Sequence, residues 1–308
     1  MVERPGSPPE FEARFPDDAA CARWLFESRW PEGFRCPGCG HGKGWELGRG
    51  LLLVECARCH RQTSVTAGTA LHRSHLPLRL WFLAAWLVAT HENGISARQL
   101  WPQLGLGSHE TAWLLLRKLR RAVVDPGREP LAGLVEVDET SIPFRTQDEP
   151  VAAKPGRSGE GELLIAGAVE IRGKAPGRAG LAVIGDYSAR SLESFVAAAI
   201  AEGSTVVSDG WSGYARLKDV GHDPKIVGAM AAHVVLPWVH RAFANTKRWA
   251  LGVYHGLREK HLQAYLDEFV FRFNRRRTPQ AAFARLLGLA VTIGPHPYAA
   301  VVASGSKG

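Results

Sequence analysis

No stretch of this 308-residue chain is apolar for long enough to cross a bilayer. The longest apolar run, Leu76 to Thr90, is broken by Pro77 and Arg79 and falls short of the roughly 20 residues a spanning helix needs. Cysteine is scarce, with five in all, and no secretory leader precedes them, which argues against a disulfide scaffold. No βαβ pattern surrounds them, which argues against a redox pair. Internal repeats and long low-complexity tracts are also missing. What remains is ordinary: 45% hydrophobic and 22% charged residues, enough chain for roughly two domains by the usual domain size.

Four of the five cysteines fall in two CxxC pairs, Cys36-Pro37-Gly38-Cys39 and Cys56-Ala57-Arg58-Cys59. A tetrahedral zinc ion takes four thiolate or imidazole ligands, and each CxxC turn can offer two sulfurs without strain. The stretch Trp45 to Glu55 between the pairs can form a short hairpin, so the spacing predicts a structural zinc ribbon. Cys21 reads as an ordinary thiol.

The net charge is +8 and the isoelectric point near 9.5, a weak indication of a polyanionic partner. Local charge says more. Between His240 and Gln280 nine Lys or Arg face three acids, and Arg117, Lys118, Arg120 and Arg121 end a predicted helix. The same cations could equally form a solvated face that complements a helix C-terminus.

Along the chain, a Pro-rich start and a short amphipathic segment, Ala19 to Glu27, precede the ribbon. Helical patterns follow at Leu78–Thr90, Ala97–Leu104 behind Ser96, and Glu110–Val124 behind Ser108. The tight turn Gly105-Leu106-Gly107 between the last two suggests a helix-turn-helix, whose second helix would enter the major groove and carry the basic cluster. A plain helical hairpin on the ribbon would look similar. Asp125 to Pro130 reads as a linker. Strands are predicted at Leu131–Phe144, Leu163–Ile171 and Ala179–Asp186, then a helix at Ala189–Ala201, strands at Ser204–Ser208 and Lys225–Met230, and helices near His240–Leu251 and Glu259–Asn274. That order is RNase H-like: a mixed α/β sheet with carboxylates at the ends of central strands. The expected domains are an N-terminal segment 1–33, a zinc ribbon 34–70, a helix-turn-helix region 74–125, a catalytic domain 131–290 and a tail 291–308.

In Val135-Glu136-Val137-Asp138-Glu139-Thr140 the valines share one face of a strand, and Glu136 and Asp138 the other. Asp209 ends a second strand. Taken singly, Asp138 reads as a solvent-facing acid and Asp209 as an Asp-Gly turn. In this topology they become neighbours, able to hold a pair of Mg2+ ions for phosphodiester chemistry.

These residues, together with Ser208-Asp209-Gly210-Trp211-Ser212-Gly213-Tyr214, the four cysteines and the run Lys260 to Arg276, resemble bacterial insertion-sequence transposases of the DDE type that carry an N-terminal zinc ribbon. The similarity covers most of residues 20 to 290. It implies an enzyme that cleaves DNA and transfers the strand, using structural Zn2+ and catalytic Mg2+ or Mn2+. It further implies double-stranded DNA partners (terminal inverted repeats and target), a homodimer or higher oligomer on DNA, no membrane, and a cytoplasmic, nucleoid-associated location. The third catalytic position departs from the pattern. A Glu is implied seven residues before a Lys on a late helix, and seven before Lys247 stands His240, making the triad Asp138, Asp209, His240. Asn245 is the other candidate for that position. Lys247 would touch a phosphate, and Arg248 beside it joins Arg117, Lys118, Arg120 and Arg121 as a DNA contact. The polar stretch Arg145 to Glu160 lies where such enzymes place a mobile hairpin. Trp211 and Tyr214 are expected to pack rather than stack on a base. Two other readings fit the same sequence: a non-catalytic DNA-binding regulator, and a nuclease without strand transfer.

Overall fold

The computed structural model describes residues 5–48, 51–91, 93–143, 162–217, 219–225, 231–254 and 257–296. The predicted hairpin at 145–160 and most of the predicted strand at 225–230 lie outside them. The chain forms two compact units, 1–125 with 277–308, and 126–276. It leaves the first at Asp125 and returns to it at Arg277.

The first unit opens with helices α1 (Pro8–Arg14) and α2 (Asp18–Arg29), followed by a three-stranded antiparallel ribbon of β1 (Gly44–Leu47), β2 (Leu53–Cys56) and β3 (Gln62–Ser64). Trp45 pairs with Glu55 across the hairpin the sequence anticipated. Arg29 on α2 ties the end of β3 to the helix by donating to the carbonyls of Ser64, Val65 and Ala67. Helices α3 (Leu78–Thr90), α4 (Ala97–Gln103) and α5 (His109–Ala122) follow, and Ser96 and Ser108 cap the last two with their hydroxyls.

A further helix, which the sequence reading left as the end of the catalytic domain, completes this unit: α10 (Pro279–Thr292). Its Phe283 joins Phe11, Phe15, Trp24 and Phe82 in one aromatic cluster, and Leu286 and Leu287 are fully buried. The boundary drawn at 290 therefore moves to 276. The physical reason is apolar area: α10 carries a face that the aromatic residues of α1, α2 and α3 bury.

The second unit is a five-stranded mixed sheet in the order β6-β5-β4-β7-β8, from β4 (Leu134–Pro143), β5 (Glu162–Arg172), β6 (Ala175–Ile184), β7 (Thr205–Ser208) and β8 (Gly221–Pro224). β4, β5 and β6 form an antiparallel meander, while β7 and β8 run parallel to β4. Among the described residues the last strand ends at Pro224, and nearly all of the predicted Lys225–Met230 lies outside them. Period-two alternation sorts the side chains between two cores. Val135, Val137 and Val206 pack with helix α6 (Ala189–Ala199) on one face. Ile165, Val169 and Val207 pack on the other with α8 (Pro237–Val253) and α9 (Glu259–Asn274), which the short α7 (Ala232–Val235) precedes. Strand order and flanking helices are those of an RNase H-like domain.

β6 lies at the edge of this sheet, where unpaired backbone groups would be a liability. Residues of α9 cover it. Gln263 accepts from the Val183 N–H and donates to the Leu181 carbonyl, and Asn274 both accepts from and donates to Ala179. Arg276 donates to the carbonyls of Pro176 and Gly177.

Candidate active site and zinc ribbon

In the ribbon the two CxxC loops repeat one geometry. The fourth position after each first cysteine returns a backbone bond, Gly40 N–H to the Cys36 carbonyl at 2.9 Å and His60 N–H to the Cys56 carbonyl at 3.0 Å. Gly40 and His60 both take left-handed backbone angles, φ 72° and 55°, and the glycine makes that turn without strain. The four sulfurs of Cys36, Cys39, Cys56 and Cys59 lie within 4.8 Å of one another. Gly38 and Arg58 donate their N–H groups to the sulfurs of Cys36 and Cys56, each at 3.4 Å. Burial opposes ionisation of Cys36, but the N–H donors outweigh it and lower its pKa; at Cys56 the N–H of Cys59 leads the same effect. Four converging sulfurs, two of them biased toward thiolate while the neighbouring sulfurs push Cys39 up, suit a structural zinc ion.

The second site grows from β4. Glu136 and Asp138 share the face toward α8, as the alternation predicted, but both are buried rather than solvent-facing. They do different things. Glu136 points its Oε2 at the start of α8, where it accepts from the N–H groups of Trp238 at 2.7 Å and Val239 at 2.8 Å. Burial raises its pKa against the pull of those two donors. Asp138, two residues on, has its Oδ2 3.1 Å from Nε2 of His240 on the first turn of α8. That Nε2 is buried, and among the described residues it makes no hydrogen bond of acceptable angle. Burial, reinforced by His233 and Lys247 against the opposing charge of Asp209, lowers the pKa of His240, the direction that favours an imidazole able to offer a lone pair.

Asp209 follows β7, which pairs in parallel with β4 from Leu134↔Thr205 to Glu136↔Val207. Two residues past the last pair on each strand stand Asp138 and Asp209, so the register aligns them at the same end of neighbouring strands. Asp209 bonds the N–H of Trp211 at 2.9 Å, an Asx turn that shapes the loop. Among the described residues only the four cysteines form a cluster of three or more ligand atoms; Asp138, Asp209 and His240 do not.

The helix phase separates the two candidates for the third position. His240 and Lys247 are seven residues apart and share a face of α8, whereas Asn245 is turned well away and exposed. Two residues that the sequence reading passed over help build the site. Gly167 on β5 lies directly opposite Asp138, and a Cβ there would stand 2.4 Å from the Phe243 ring of α8. Glu139 accepts a 2.6 Å hydrogen bond from the hydroxyl of Tyr214, which is fully buried. Tyr214 therefore packs, as expected, and its bond joins the segment after Asp138 to the segment after Asp209. Trp211 is exposed. Gly167 gave a faint signal, a glycine inside a strand pattern; nothing in the linear pattern marked the Tyr214–Glu139 pair.

The basic residues divide. Arg120 is buried, at 2% exposure, and Lys118 lies over the Trp81 ring with its pKa lowered by burial. Arg117 lies against Trp113, and Arg121 is exposed beside His296 at 2.8 Å. The cluster at the end of α5 is thus not a free cationic face: Arg120 and Lys118 are drawn into the helical packing, because α5 is covered by its neighbours. In the second unit Arg275 and Arg276 lie over Phe271 and Phe273, while Arg241 and Arg248 are exposed on α8.

Residues 130–274 match the ISXO2-like transposase domain, and residues 16–62 match the transposase zinc-ribbon domain. Over 142 residues the chain is 30% identical to a Halobacterium salinarum protein described as an uncharacterized protein in transposable element ISH50. That alignment covers 44% of this chain and 47% of the relative, so the chain spans about half the length of the curated relative it matches. No solved structure matches. Both matched stretches fall on the residues that carried the resemblance.

Proposed function

We propose that this chain, with its transposase zinc ribbon and DDE-type catalytic domain, is a DNA transposase that cleaves the ends of an insertion sequence and joins them to target DNA. The observation that carries the reading is the approach of His240 to Asp138, with the imidazole nitrogen buried and without a hydrogen bond among the described residues, beside a strand register that brings Asp209 to the same edge. An imidazole and carboxylates at one sheet end form a donor set that fits Mn2+ or Mg2+. When bound, such cations supply activation of the attacking oxygen and stabilisation of the leaving oxygen of a phosphodiester.

The chain's own residues divide the remaining work. Asp138 and Asp209 provide hard carboxylate oxygens, and His240 provides Nε2. Lys247, on the same face of α8 two turns further on, is placed to meet a phosphate of the DNA, while Arg241 and Arg248 are exposed on the face that carries Asn245. The zinc ribbon and the helices of the first unit would hold double-stranded DNA, and we expect Arg121 to contribute more to that contact than Arg117, Lys118 or Arg120. Work on two element ends implies a homodimer or higher oligomer on DNA.

The test is a cleavage and strand-transfer assay with cognate ends in Mg2+ and in Mn2+. Asp138→Asn and Asp209→Asn should each abolish both steps with DNA affinity nearly unchanged, because an amide keeps the shape and loses the charge. His240→Glu should move the preference from Mn2+ toward Mg2+, and Asn245→Ala should change neither rate by more than about threefold, roughly 0.7 kcal/mol. Cleavage without joining would leave a nuclease. No cleavage by the wild-type protein in either metal, with DNA binding intact in it and in both Asp variants, would leave a DNA-binding regulator.

A further inference from the structure

Helix α8 begins without a cap of its own. Its N-cap residue is Leu236, whose side chain makes no capping bond, and Pro237 stands in the first turn. The first N–H groups of a helix lack internal partners, and here two of them find one on the sheet: Oε2 of Glu136, 2.7 Å from the nitrogen of Trp238 and 2.8 Å from that of Val239. A carboxylate at this end also complements the helix dipole. Both bonds converge on a single oxygen, so they fix the depth and the rotation of the first turn against β4. His240 is the next residue of that turn, and Asp138 is the next residue of β4 on the same face.

We propose that Glu136 is a positioning residue, a cap lent by the catalytic strand that sets His240 against Asp138 and thereby tunes divalent-cation binding; the inference rests on the reading of those two residues as cation ligands. A long strand acid that caps a helix from outside could serve stability alone. Positioning differs from stability in one respect: its effect must pass through His240.

The experiment uses the full-length, zinc-loaded protein and Mn2+ alone as the probe, following free Mn2+ by electron paramagnetic resonance well below each variant's unfolding transition. Glu136→Leu, which removes the acceptor, should weaken Mn2+ binding at least tenfold. Glu136→Gln keeps one acceptor oxygen for both N–H groups and should stay within about threefold of wild type, roughly 0.7 kcal/mol. His240→Ala should weaken binding by an amount similar to Glu136→Leu, and the double variant should bind no more weakly than either single one. Effects that multiply in the double variant overturn the proposal while leaving the cation site standing. A wild-type protein that binds no Mn2+ overturns the cation reading itself, and the proposal with it. If Glu136→Leu does not fold, Glu136→Asp carries the same cycle, since it keeps the charge but withdraws it by one methylene. It should weaken Mn2+ binding in the wild-type background and leave it unchanged beside His240→Ala.

Discussion

Three acids on adjacent strands, Glu136, Asp138 and Glu170, are all buried, and their partners decide what each does. Glu136 serves a helix start and Asp138 faces an imidazole. Glu170 is wholly engaged: its two oxygens accept from the side chains of Arg172 and Arg178 and from the N–H groups of Ala132 and Arg178. Burial by itself would raise its pKa, but the bonds from Arg178 prevail and hold it at about 2, against an ordinary 4.5. A depressed carboxyl stabilises the fold above its unfolded pKa and loses that contribution as pH falls through the folded one. By linkage the effect is about 3 kcal/mol, complete above pH 5 or so and fading toward pH 2. Denaturant titrations of wild type and Glu170→Gln should therefore differ most near neutrality and converge at the acid end. A gap that stays constant from neutral to acid pH would contradict this assignment.

Elements meet where small residues and metal ligands let them. Phe243 of α8 lies over Gly167 because no side chain fills that place, and a methyl group there would force the ring or the helix outward. Gly167→Ala should cost about 1–3 kcal/mol as overpacking does, and cleavage should fall more than stability explains, since α8 carries His240. Thermal melts and cleavage rates measured on the same preparation check this; a variant that loses neither shows that α8 yields freely. The ribbon depends on a different device. Its three short strands enclose a core of little more than Trp30, Phe34, Val54 and the buried cysteines, too little to fold without metal. Cys36→Ser, or zinc removal by a chelator, should unfold the ribbon while the far-ultraviolet signal of the second unit persists. Zinc content and limited proteolysis report the result.

For the molecule as a whole, α10 makes the first unit discontinuous in sequence. A fragment of residues 1–125 lacks Phe283, Leu286 and Leu287, so the aromatic cluster of Phe11, Phe15 and Phe82 should lie open, bind hydrophobic dye and aggregate. Residues 126–276 hold a complete sheet with helices on both faces, and should unfold in one cooperative transition followed by circular dichroism. A monomeric, cooperatively folded 1–125 fragment would show that α10 adds little.

Sequence alone determined whatever depends on spacing along the chain. The two CxxC loops, the Ser96 and Ser108 caps, the span of α3 and the alternation of β4 are local patterns with local causes, and all are legible in the residues. The alignment of Asp138 and Asp209 at one end of adjacent strands needed only the strand order. Tertiary structure decided what depends on a partner far along the chain. Periodicity says that α10 has a face to bury, not that the first unit buries it. A count of cations does not say that Arg120 is inside, or that Arg276 grips a strand edge. Nothing local distinguishes Glu136, which caps a helix 102 positions later, from Asp138 beside it, because the difference lies in which group stands opposite once the chain has closed.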